Sequence, residues 1–358
     1  MEASSYVCPN CGAPMEFDST TQQMRCSHCN HVMTVEALQE HYDRIDTEFG
    51  GDNDEDRVFG DFEIEGRNGD FRIYRCQGCG GEILTDENTT ATFCSFCGRP
   101  SLMKDRLTGA LMPEYVLPFK IKKDMAVQMY KKWTGHGLLT PSVFMSGSTI
   151  NKIAGVYVPF WLFDYNANIK MHAKCTKTRR KVSGNYEYVY TDLFDVVREV
   201  EADYLKIPAD ASEKMPDEIM DKLEPFEYSG LEHFEMPYLS GYYAEKYDYQ
   251  SDEMAIRAEG RVKSYIYEAA RSTIMGYSTV SVTNQSVQLE RKKASYALLP
   301  VWILNCTYRG KNYLFALNGQ TGKIVADRPI SMKKGAAWFG GIGVVCFTVL
   351  YLLGRFLG

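Results

Sequence analysis

Residues 8–29 read CPNCGAPMEFDSTTQQMRCSHC, and residues 76–97 read CQGCGGEILTDENTTATFCSFC. In each stretch 14 residues separate two CxxC pairs, and every cysteine of the second stretch lies 68 positions after its counterpart in the first. CxxC pairs on two short hairpins bring four sulfur atoms to the corners of a tetrahedron, the geometry that Zn²⁺ accepts. The repeated spacing predicts two zinc ribbons, with the ligands Cys8, Cys11, Cys26, Cys29 and Cys76, Cys79, Cys94, Cys97.

Both predicted sites are expected to be structural, because four thiolates leave no open coordination position on the metal. Modules this small bury too little apolar surface to fold unaided, and zinc supplies the missing folding free energy. An iron site of rubredoxin type uses the same four sulfurs, and disulfides are a further alternative. His28 and His31 flank the fourth ligand and are expected to be solvated or supporting groups rather than ligands.

The composition is that of an ordinary folded protein with two or three domains. The 358 residues are 45% hydrophobic and 24% charged, and the formal net charge of −6 argues against a broad nucleic-acid surface. Zinc thiolates require a reducing compartment, and no secretory signal is expected before Cys8. We therefore expect both ribbons to face the cytosol.

The C-terminal part of the sequence predicts a membrane anchor. Residues 335–354 read GAAWFGGIGVVCFTVLYLLG and carry no charge, a length that matches the hydrocarbon thickness of a bilayer. We expect one transmembrane helix over 335–357, in contact with membrane lipid. Two lysines before it and one arginine after it favour a single-pass protein of the cell membrane with cytoplasmic N-terminal domains. The predicted interface residues are Lys333, Lys334, Trp338 and Arg355.

The same segment contains two small-xxx-small pairs, Ala336 with Gly340 and Ala337 with Gly341. Such pairs let two helices approach closely, so one expectation is a homo- or hetero-oligomer formed through the transmembrane helix. Pairs of this kind are also common in spans that have no partner helix.

The predicted fold class is multi-domain α+β, with two N-terminal zinc ribbons of four cysteines each, a duplicated mixed α/β body with antiparallel sheets, and one C-terminal transmembrane helix. An acidic, glycine-containing linker is expected to let the ribbons move separately. The predicted domains are ribbon one at 1–33, a helix and flexible linker at 34–70, ribbon two at 71–106, the body at 107–332 with halves near 113–210 and 211–330, and the transmembrane helix at 335–357.

The duplication of the body is indicated by a faint repeat. Residues 157–163 read YVPFWLF and residues 298–304 read LLPVWIL, so each proline precedes a tryptophan by two positions and opens an apolar run. Helices are expected near 124–133, 216–223 and 251–273. Residues 312–326 predict a hairpin around a turn in which Gly319 and Gly322 both take positive φ.

Residues 170–181 contain six basic side chains and have two open interpretations. The alternation of the stretch favours an amphipathic strand that leads into a solvated hairpin tip. The alternative is contact with an anionic group, for which lipid headgroups are the first choice in an anchored chain. The residues concerned are Lys170, Lys174, Lys177, Arg179, Arg180 and Lys181.

The sequence carries none of the phosphate-binding, dinucleotide-binding or nucleophile motifs of common enzyme classes, and no enzymatic activity is expected. The leading hypothesis is a non-enzymatic, membrane-anchored adaptor for cytoplasmic proteins. One alternative is binding of nucleic acid or RNA polymerase by the ribbons. Ribbon one has a single basic residue between its cysteines, Arg25, so nucleic acid is not the expected partner. Ribbon two keeps this alternative open, because it contains Arg72, Arg75, Arg99, Lys104 and Arg106. A rubredoxin-like redox protein is the other alternative.

The two quartets, the Pro-x-Trp repeat, the NGQTGK turn at 318–323 and the tail anchor together resemble the TFIIB-type zinc-ribbon membrane proteins of Gram-positive bacteria. Such proteins occur beside SPFH/flotillin-like and PspA-like proteins in membrane-stress operons. The first quartet matches the ribbon motif of that family. The resemblance implies an adaptor that recruits SPFH/flotillin-like or PspA-like proteins to the inner leaflet of the membrane during a membrane-stress response.

Overall fold

The computed structural model describes residues 2–3, 5–49, 72–76, 79–80, 82–86, 88–94, 99–103, 111–135, 137 and 139–357. Over these residues the fold is mixed α+β, as predicted, with three sheets and six α-helices. Cys97 and most of the acidic linker lie outside the described residues. The predicted domain boundaries stay predictions.

The ribbons contain only short strands. Ribbon one and the helix that follows it comprise β1 (Glu2–Ala3), β2 (Met15–Asp18), β3 (Gln23–Cys26), β4 (Val32–Met33) and α1 (Val35–Phe49). Thr34 is the predicted N-cap of α1, and its hydroxyl accepts the N–H of Ala37 at 3.2 Å. Ribbon two comprises β5 (Arg72–Cys76), β6 (Glu82–Thr85), β7 (Thr89–Phe93) and β8 (Pro100–Leu102).

The body is built around two 30-residue strands, β10 and β14, which pair antiparallel along most of their length. The predicted helices correspond to α2, α4 and α5. The elements of the body are β9 (Tyr115–Val116), α2 (Lys123–Gly135), α3 (Gly147–Ile150), β10 (Ala154–Ser183), β11 (Tyr186–Asp210), α4 (Asp217–Leu223), β12 (Glu232–His233), β13 (Tyr243–Glu245), α5 (Ser251–Ser272), β14 (Thr279–Tyr308), β15 (Lys311–Asn318) and β16 (Ile324–Ala326).

The faint Pro-x-Trp repeat is a structural repeat. Each central strand pairs in parallel with a short strand just before its proline, β10 with β13 and β14 with β9. Each then pairs antiparallel with its own return strand, β10 with β11 and β14 with β15. The carbonyls of Pro159 and Pro300 accept N–H groups of Ala211 and Gly319, at 3.0 and 2.9 Å. The two halves therefore share one pairing pattern.

The two tryptophans of the repeat also make matching hydrogen bonds. The indole of Trp161 donates to the carbonyl of Tyr249, and that of Trp302 donates to the carbonyl of Ile121, both at 2.9 Å. Helices α5 and α2 begin two residues after these carbonyls. Because β9 and α2 precede β10 but contact the hairpin of β14, the halves exchange segments and form one interlocked unit.

Beyond the body, β10, β11 and β14 continue as a three-stranded sheet that we call the arm, formed by residues 165–183, 186–204 and 279–291. One face of the arm is covered by α5, whose Ala258, Val262 and Ile266 are fully buried against it. The arm ends at the turn between Ser183 and Tyr186. The basic stretch 170–181 thus runs along a strand into a hairpin tip.

Ribbon one packs directly on the body. The N–H of Phe17 donates to the carbonyl of Ser240 at 3.1 Å, and the Ser240 hydroxyl donates to the Met15 carbonyl at 2.6 Å. Met15, Phe17 and Met24 are buried in one cluster with side chains of the body such as Tyr238. This shared core differs from the expectation of a separately moving ribbon, because apolar hairpin residues that a lone ribbon would expose are covered here.

Ribbon two is joined to the body through its second hairpin. Strand β7 pairs antiparallel with β13, with Ala91 opposite Ala244, and so extends the main sheet. The ammonium of Lys214 bridges Asp86 at 2.6 Å and Glu245 at 2.9 Å across this joint. Strand β1 pairs with β5, which links the start of the chain to ribbon two. Both ribbons are therefore held against the body.

The predicted C-terminal helix is present as α6 (Met332–Leu357). Among the described residues, α6 is the one helix long and apolar enough to cross a membrane. Its candidate span is Met332–Leu353, 22 residues with a mean hydropathy of 2.0. None of its apolar window is buried against the rest of the protein. An exposed apolar helix of this length is suited to a lipid environment.

Candidate metal centres

The first cysteine quartet forms one compact cluster. The Sγ atoms of Cys8, Cys11, Cys26 and Cys29 all lie within 4.8 Å of one another. Cys8 and Cys29 are 3.6 Å apart at sulfur, as are Cys11 and Cys26. A tetrahedral zinc ion with Zn–S bonds of about 2.3 Å requires sulfur separations of about 3.8 Å. The four predicted residues are thus positioned to hold one metal ion.

The local backbone explains why the sulfurs converge. The N–H of Gly12 donates to the carbonyl of Cys8 at 2.9 Å, and Gly12 has a φ of 72°. In the second turn the N–H of Asn30 donates to the carbonyl of Cys26, and Asn30 has a φ of 58°. Asparagine tolerates this left-handed region better than most residues. Asn30 therefore occupies in the second turn the positive-φ position that Gly12 occupies in the first. The cysteine spacing does not indicate this role.

The four thiols cannot all be ionised without a cation between them. The backbone N–H of Cys29, ahead of that of His28, lowers the pKa of the Cys26 thiol to about 6. The N–H of His31 lowers the pKa of Cys29, but burial and the sulfurs of Cys11 and Cys8 outweigh it and raise that pKa to about 12. Because like charges crowd together, a positive metal ion is the natural complement of this donor set.

The second quartet repeats the first as far as it is described. Cys76, Cys79 and Cys94 bring their sulfurs within 4.8 Å of one another, with Cys79 and Cys94 3.7 Å apart. The N–H of Gly80 donates to the carbonyl of Cys76 at 2.8 Å, and Gly80 has a φ of 73°. The fourth predicted ligand, Cys97, lies outside the described residues. The described cysteines thus form two groups that could each hold a metal ion, where the spacing predicted them.

A cleft of about 660 Å³ lies where the two ribbons meet the body. Its wall on the side of ribbon one is charged: Asp18 contacts Arg25 at 3.2 Å and Lys122 of the body at 3.1 Å. Burial alone raises the pKa of Asp18, but the Thr20 N–H and then these cations outweigh burial and lower it. The lining residues include Glu16, Asp18 and Arg25 of ribbon one, Phe93 of ribbon two, and Lys152, Gly155, Tyr242 and Trp302 of the body.

The sequence offered no signal for this cleft, because its walls come from parts of the chain far apart in sequence. Gly155 is required there for space, since a Cβ atom would approach the ring of Tyr242 to 2.7 Å. Gly241 takes a φ of 95° beside Glu16 of ribbon one. The position of ribbon one on the body thus determines the shape of the cleft.

The predicted basic stretch is largely matched by acids on the neighbouring strand. Arg179 pairs with Asp192 at 2.9 Å, and Arg180 pairs with Glu187 at 3.3 Å. Farther down the arm, the residue directly opposite Lys170 is Glu199, and Lys174 and Lys177 face Asp195 and Asp192 in the same way. Lys181 faces Tyr188 at the tip. The surroundings of the stretch are those of an exposed hairpin.

The predicted interface residues all belong to α6, but one of them contacts the body. The ammonium of Lys334 donates to the carbonyl of Thr140 at 2.6 Å. Trp338 is half exposed, and Lys333 and Arg355 lie near the two ends of the helix. The N–H of Ser331 donates to the carbonyl of Leu139 at 2.8 Å, so the start of α6 is attached to the segment after α2.

Comparison with known proteins gives one full-length relative. The chain is 42% identical over 354 residues to a Bacillus subtilis (strain 168) protein named "Uncharacterized protein YdjG". The match covers 99% of this chain and 98% of the relative. The chain belongs to the YdjG family. No protein-family model matches the YdjG-family chain, and no solved structure matches it.

Proposed function

We propose that this YdjG-family chain is a non-enzymatic, membrane-anchored adaptor whose metal ribbons shape a docking cleft for cytoplasmic proteins. The observation that carries the proposal is the composition of the cleft walls. Residues between the first ligand pairs, such as Glu16 and Asp18, form one wall, and Phe93 of ribbon two forms part of another. Metal binding and the shape of the docking surface are thereby coupled.

The metal in this proposal is zinc, bound at both sites in a structural role. All four donors of the first site are cysteine sulfurs, which leave no position for substrate or water. The chemistry that zinc supplies is neutralisation of crowded thiolates and fixation of the hairpin. Cys8 and Cys26 are buried in the same cluster as Phe17 and Tyr238, so the liganding residues continue into the core of the body.

The membrane part of the proposal rests on α6. Its apolar window is exposed and long enough to span a bilayer, and basic residues precede it at Lys333 and Lys334. In this topology the ribbons and the body are cytoplasmic and α6 anchors them to the cell membrane. A cytoplasmic location also suits cysteine ligands, which need a reducing environment.

The partner class comes from the resemblance to TFIIB-type zinc-ribbon membrane proteins. We propose SPFH/flotillin-like or PspA-like proteins as the occupants of the cleft, in a membrane-stress response. The charges of ribbon one support a protein partner over nucleic acid, because its basic residue Arg25 is paired with Asp18. A phosphate backbone needs several unpaired cations.

The test is affinity purification of the full-length chain from solubilised membranes, followed by mass spectrometry. We expect an SPFH/flotillin-like or PspA-like protein to be recovered with the wild type and lost with Cys11→Ser, which removes one exposed ligand of site one. The matched control is Cys346→Ser, an exposed cysteine of α6 that is no ligand. Recovery of the same proteins with Cys11→Ser would contradict a metal-dependent cleft.

Metal analysis of the same preparations decides the identity of the ion. About two zinc ions per chain are expected, and about one for Cys11→Ser. Iron with a visible chromophore would instead support the rubredoxin-like alternative.

A further inference from the structure

The two outer edges of the arm differ in how they are protected. Among the described residues, no strand pairs with the outer edge of β11 over 186–203 or of β14 over 279–289. The β11 edge carries acidic residues at Glu187, Asp192, Asp195, Glu199, Glu201 and Asp203. The β14 edge reads TVSVTNQSVQL, eleven residues without a charge, a proline or a glycine, interrupted by one bulge near Thr283. Charges, prolines and β-bulges are the usual protection of an unpaired edge, and of these the β14 edge has only the single bulge.

The backbone of β14 offers hydrogen bonds outward. The carbonyl of His172 accepts the hydroxyl of Thr283, and the carbonyl of Thr176 accepts the N–H of Ser278. Even-numbered residues of β10 thus direct their backbone towards β14. In an antiparallel pair, successive residues direct their backbone N–H and C=O groups alternately towards and away from the neighbouring strand. The β14 residues that lie opposite odd-numbered residues of β10 therefore direct these groups away from β10, to the outer edge. Val287, which lies opposite Ile169, is one of them.

An apolar strip accompanies this edge. Helix α5 covers β10 and β11 and leaves the side chains of Val280, Val282, Val287 and Leu289 only half buried. Asp252 at the start of α5 contacts Arg291 of β14 at 2.8 Å, which identifies the β14 side of the helix. One turn later on that side, Ile256 is 77% exposed. An uncharged edge, protected only by its bulge, and an exposed apolar strip therefore adjoin.

We propose that a second copy of this chain pairs its own β14 antiparallel with this edge. The two arms then form a six-stranded sheet with both α5 helices on one face. Thr283 is bulged and is skipped in the pairing of β14 with β10. If it is skipped here too, a twofold axis at Gln285 places Val280 opposite Leu289 of the partner subunit and Val282 opposite Val287 of the partner subunit. An uncharged strand pairs with itself without placing like charges opposite each other.

The dimensions of the arm allow this arrangement. Three strands span about 14 Å, and a helix with its side chains is about 10–12 Å wide, so two α5 helices fit side by side. In this antiparallel arrangement the two bodies lie towards opposite ends of the joined sheet.

Charge complementarity supports the same register. Met171 lies opposite Gln285 and so marks the level of the twofold axis on β10. The tip at Ser183 is 12 residues beyond this level. The point 12 residues on the other side is Pro159, which lies opposite Leu298. The tip of one arm therefore reaches the level of β9 and β12 on the partner subunit. The tip carries Lys181, which faces Tyr188 rather than an acid, and the β12 region carries Glu232 and Glu235.

The test is the mass of the purified full-length chain in detergent micelles, measured by light scattering, with Val287→Pro as the decisive variant. The proline removes an outward N–H and leaves the hydrogen bonds to β10 intact. We therefore expect the wild type to be a dimer and the variant to have a dimer dissociation constant at least about tenfold higher. The matched control is Leu193→Pro on the β11 edge. Leu193 lies opposite Thr176, so its N–H also points outward, and this variant should remain dimeric.

Two further measurements keep the test decisive. Circular dichroism verifies that Val287→Pro is folded, and Val287→Lys replaces it if it is not. A photo-cross-linking residue at Gln285 should yield a covalent dimer, and one at Thr191 on the other edge should not. A monomeric wild type, or a dimer that persists in both Val287 variants, would overturn the proposal and direct attention to α6. No other protein enters these measurements, so their outcome is independent of the adaptor role.

Charge reversal at the tip examines the register. Lys181→Glu should weaken the dimer, and the added Glu232→Lys should restore it. Equal weakening in the single and double variants would exclude the register centred on Gln285.

Discussion

Asp210 and Asn318 occupy the same position in the two halves of the body. Each ends a return strand, and each Oδ1 accepts an N–H two residues later, from Ser212 at 3.2 Å and from Gln320 at 2.9 Å. Both side chains are almost completely buried. They differ at the other atom: Nδ2 of Asn318 donates to the carbonyls of Leu223 and Pro225, whereas Oδ2 of Asp210 has no hydrogen-bond partner among the described residues.

This difference predicts a pH-dependent stability. Burial, helped by the nearby carboxylate of Asp217, raises the pKa of Asp210 to about 7. Between about pH 4 and pH 7 the unfolded chain loses the proton while the folded chain keeps it, so stability falls as pH rises through this window. Asp210→Asn should therefore stabilise the protein by about 1–4 kcal/mol at pH 8 and have little effect near pH 4. Urea unfolding at both pH values measures the change.

The reciprocal substitution serves as the control. Asn318→Asp places a carboxylate against two backbone carbonyls and should destabilise the protein, more strongly at pH 8 than at pH 4. If Asp210→Asn changed the free energy of unfolding by the same amount at both pH values, titration of Asp210 would not be the cause.

Removal of the metal is expected to loosen the joint between ribbon one and the body. Without a cation, like charges on four crowded sulfurs favour protonation and separation of the ligands. Because Phe17 and Ser240 are joined by a backbone hydrogen bond, amide hydrogen exchange at Phe17 should accelerate when a chelator is added. Amides of the arm, such as that of Ile169, provide the internal reference and should not change. Unchanged exchange at Phe17 would mean that the hairpin is held by the body alone.

Local patterns predicted the elements that depend on neighbours in sequence. The cysteine spacing predicted the clustering of the seven described quartet cysteines, the apolar run predicted α6, and the Pro-x-Trp repeat predicted two related halves. What local patterns did not predict depends on partners distant in sequence. The covering of Met15 and Phe17 by the body is one example, and the pairing of β9 with the other half is another.

The prediction for the backbone of Gly319 was wrong. The NGQTG pattern predicts positive φ for both of its glycines, and Gly322 has a φ of 75°, but Gly319 does not take a positive φ. Its role is close approach: a Cβ atom there would lie 2.7 Å from the ring of Phe119 and 2.8 Å from Cβ of Pro300. The sequence cannot distinguish these two uses of glycine, because Phe119 comes from the other half of the body.

Gly319→Ala is accordingly expected to destabilise the protein by about 1–3 kcal/mol, since the buried contact with Phe119 and Pro300 must open. Gly260→Ala is the matched control, because a Cβ atom at this position of α5 meets nothing within 4 Å. That change should stabilise the protein by about 0.5–1 kcal/mol through helix propensity. Thermal unfolding should show a lower midpoint for Gly319→Ala and a higher midpoint for Gly260→Ala than for the wild type. An unchanged midpoint for Gly319→Ala would show that the turn can shift to make room for the methyl group.

The matching tryptophans provide the last prediction, because they make the same hydrogen bond in different surroundings. Trp302 is 4% exposed, whereas Trp161 is only half buried. Replacement by phenylalanine leaves the carbonyl of Ile121 or Tyr249 without its donor, and an unsatisfied group is more costly where water cannot reach it. Trp302→Phe should therefore lower the free energy of unfolding by about 2–4 kcal/mol and Trp161→Phe by about 1 kcal/mol. Equal losses in urea unfolding would show that the half-buried site is as dry as the buried one.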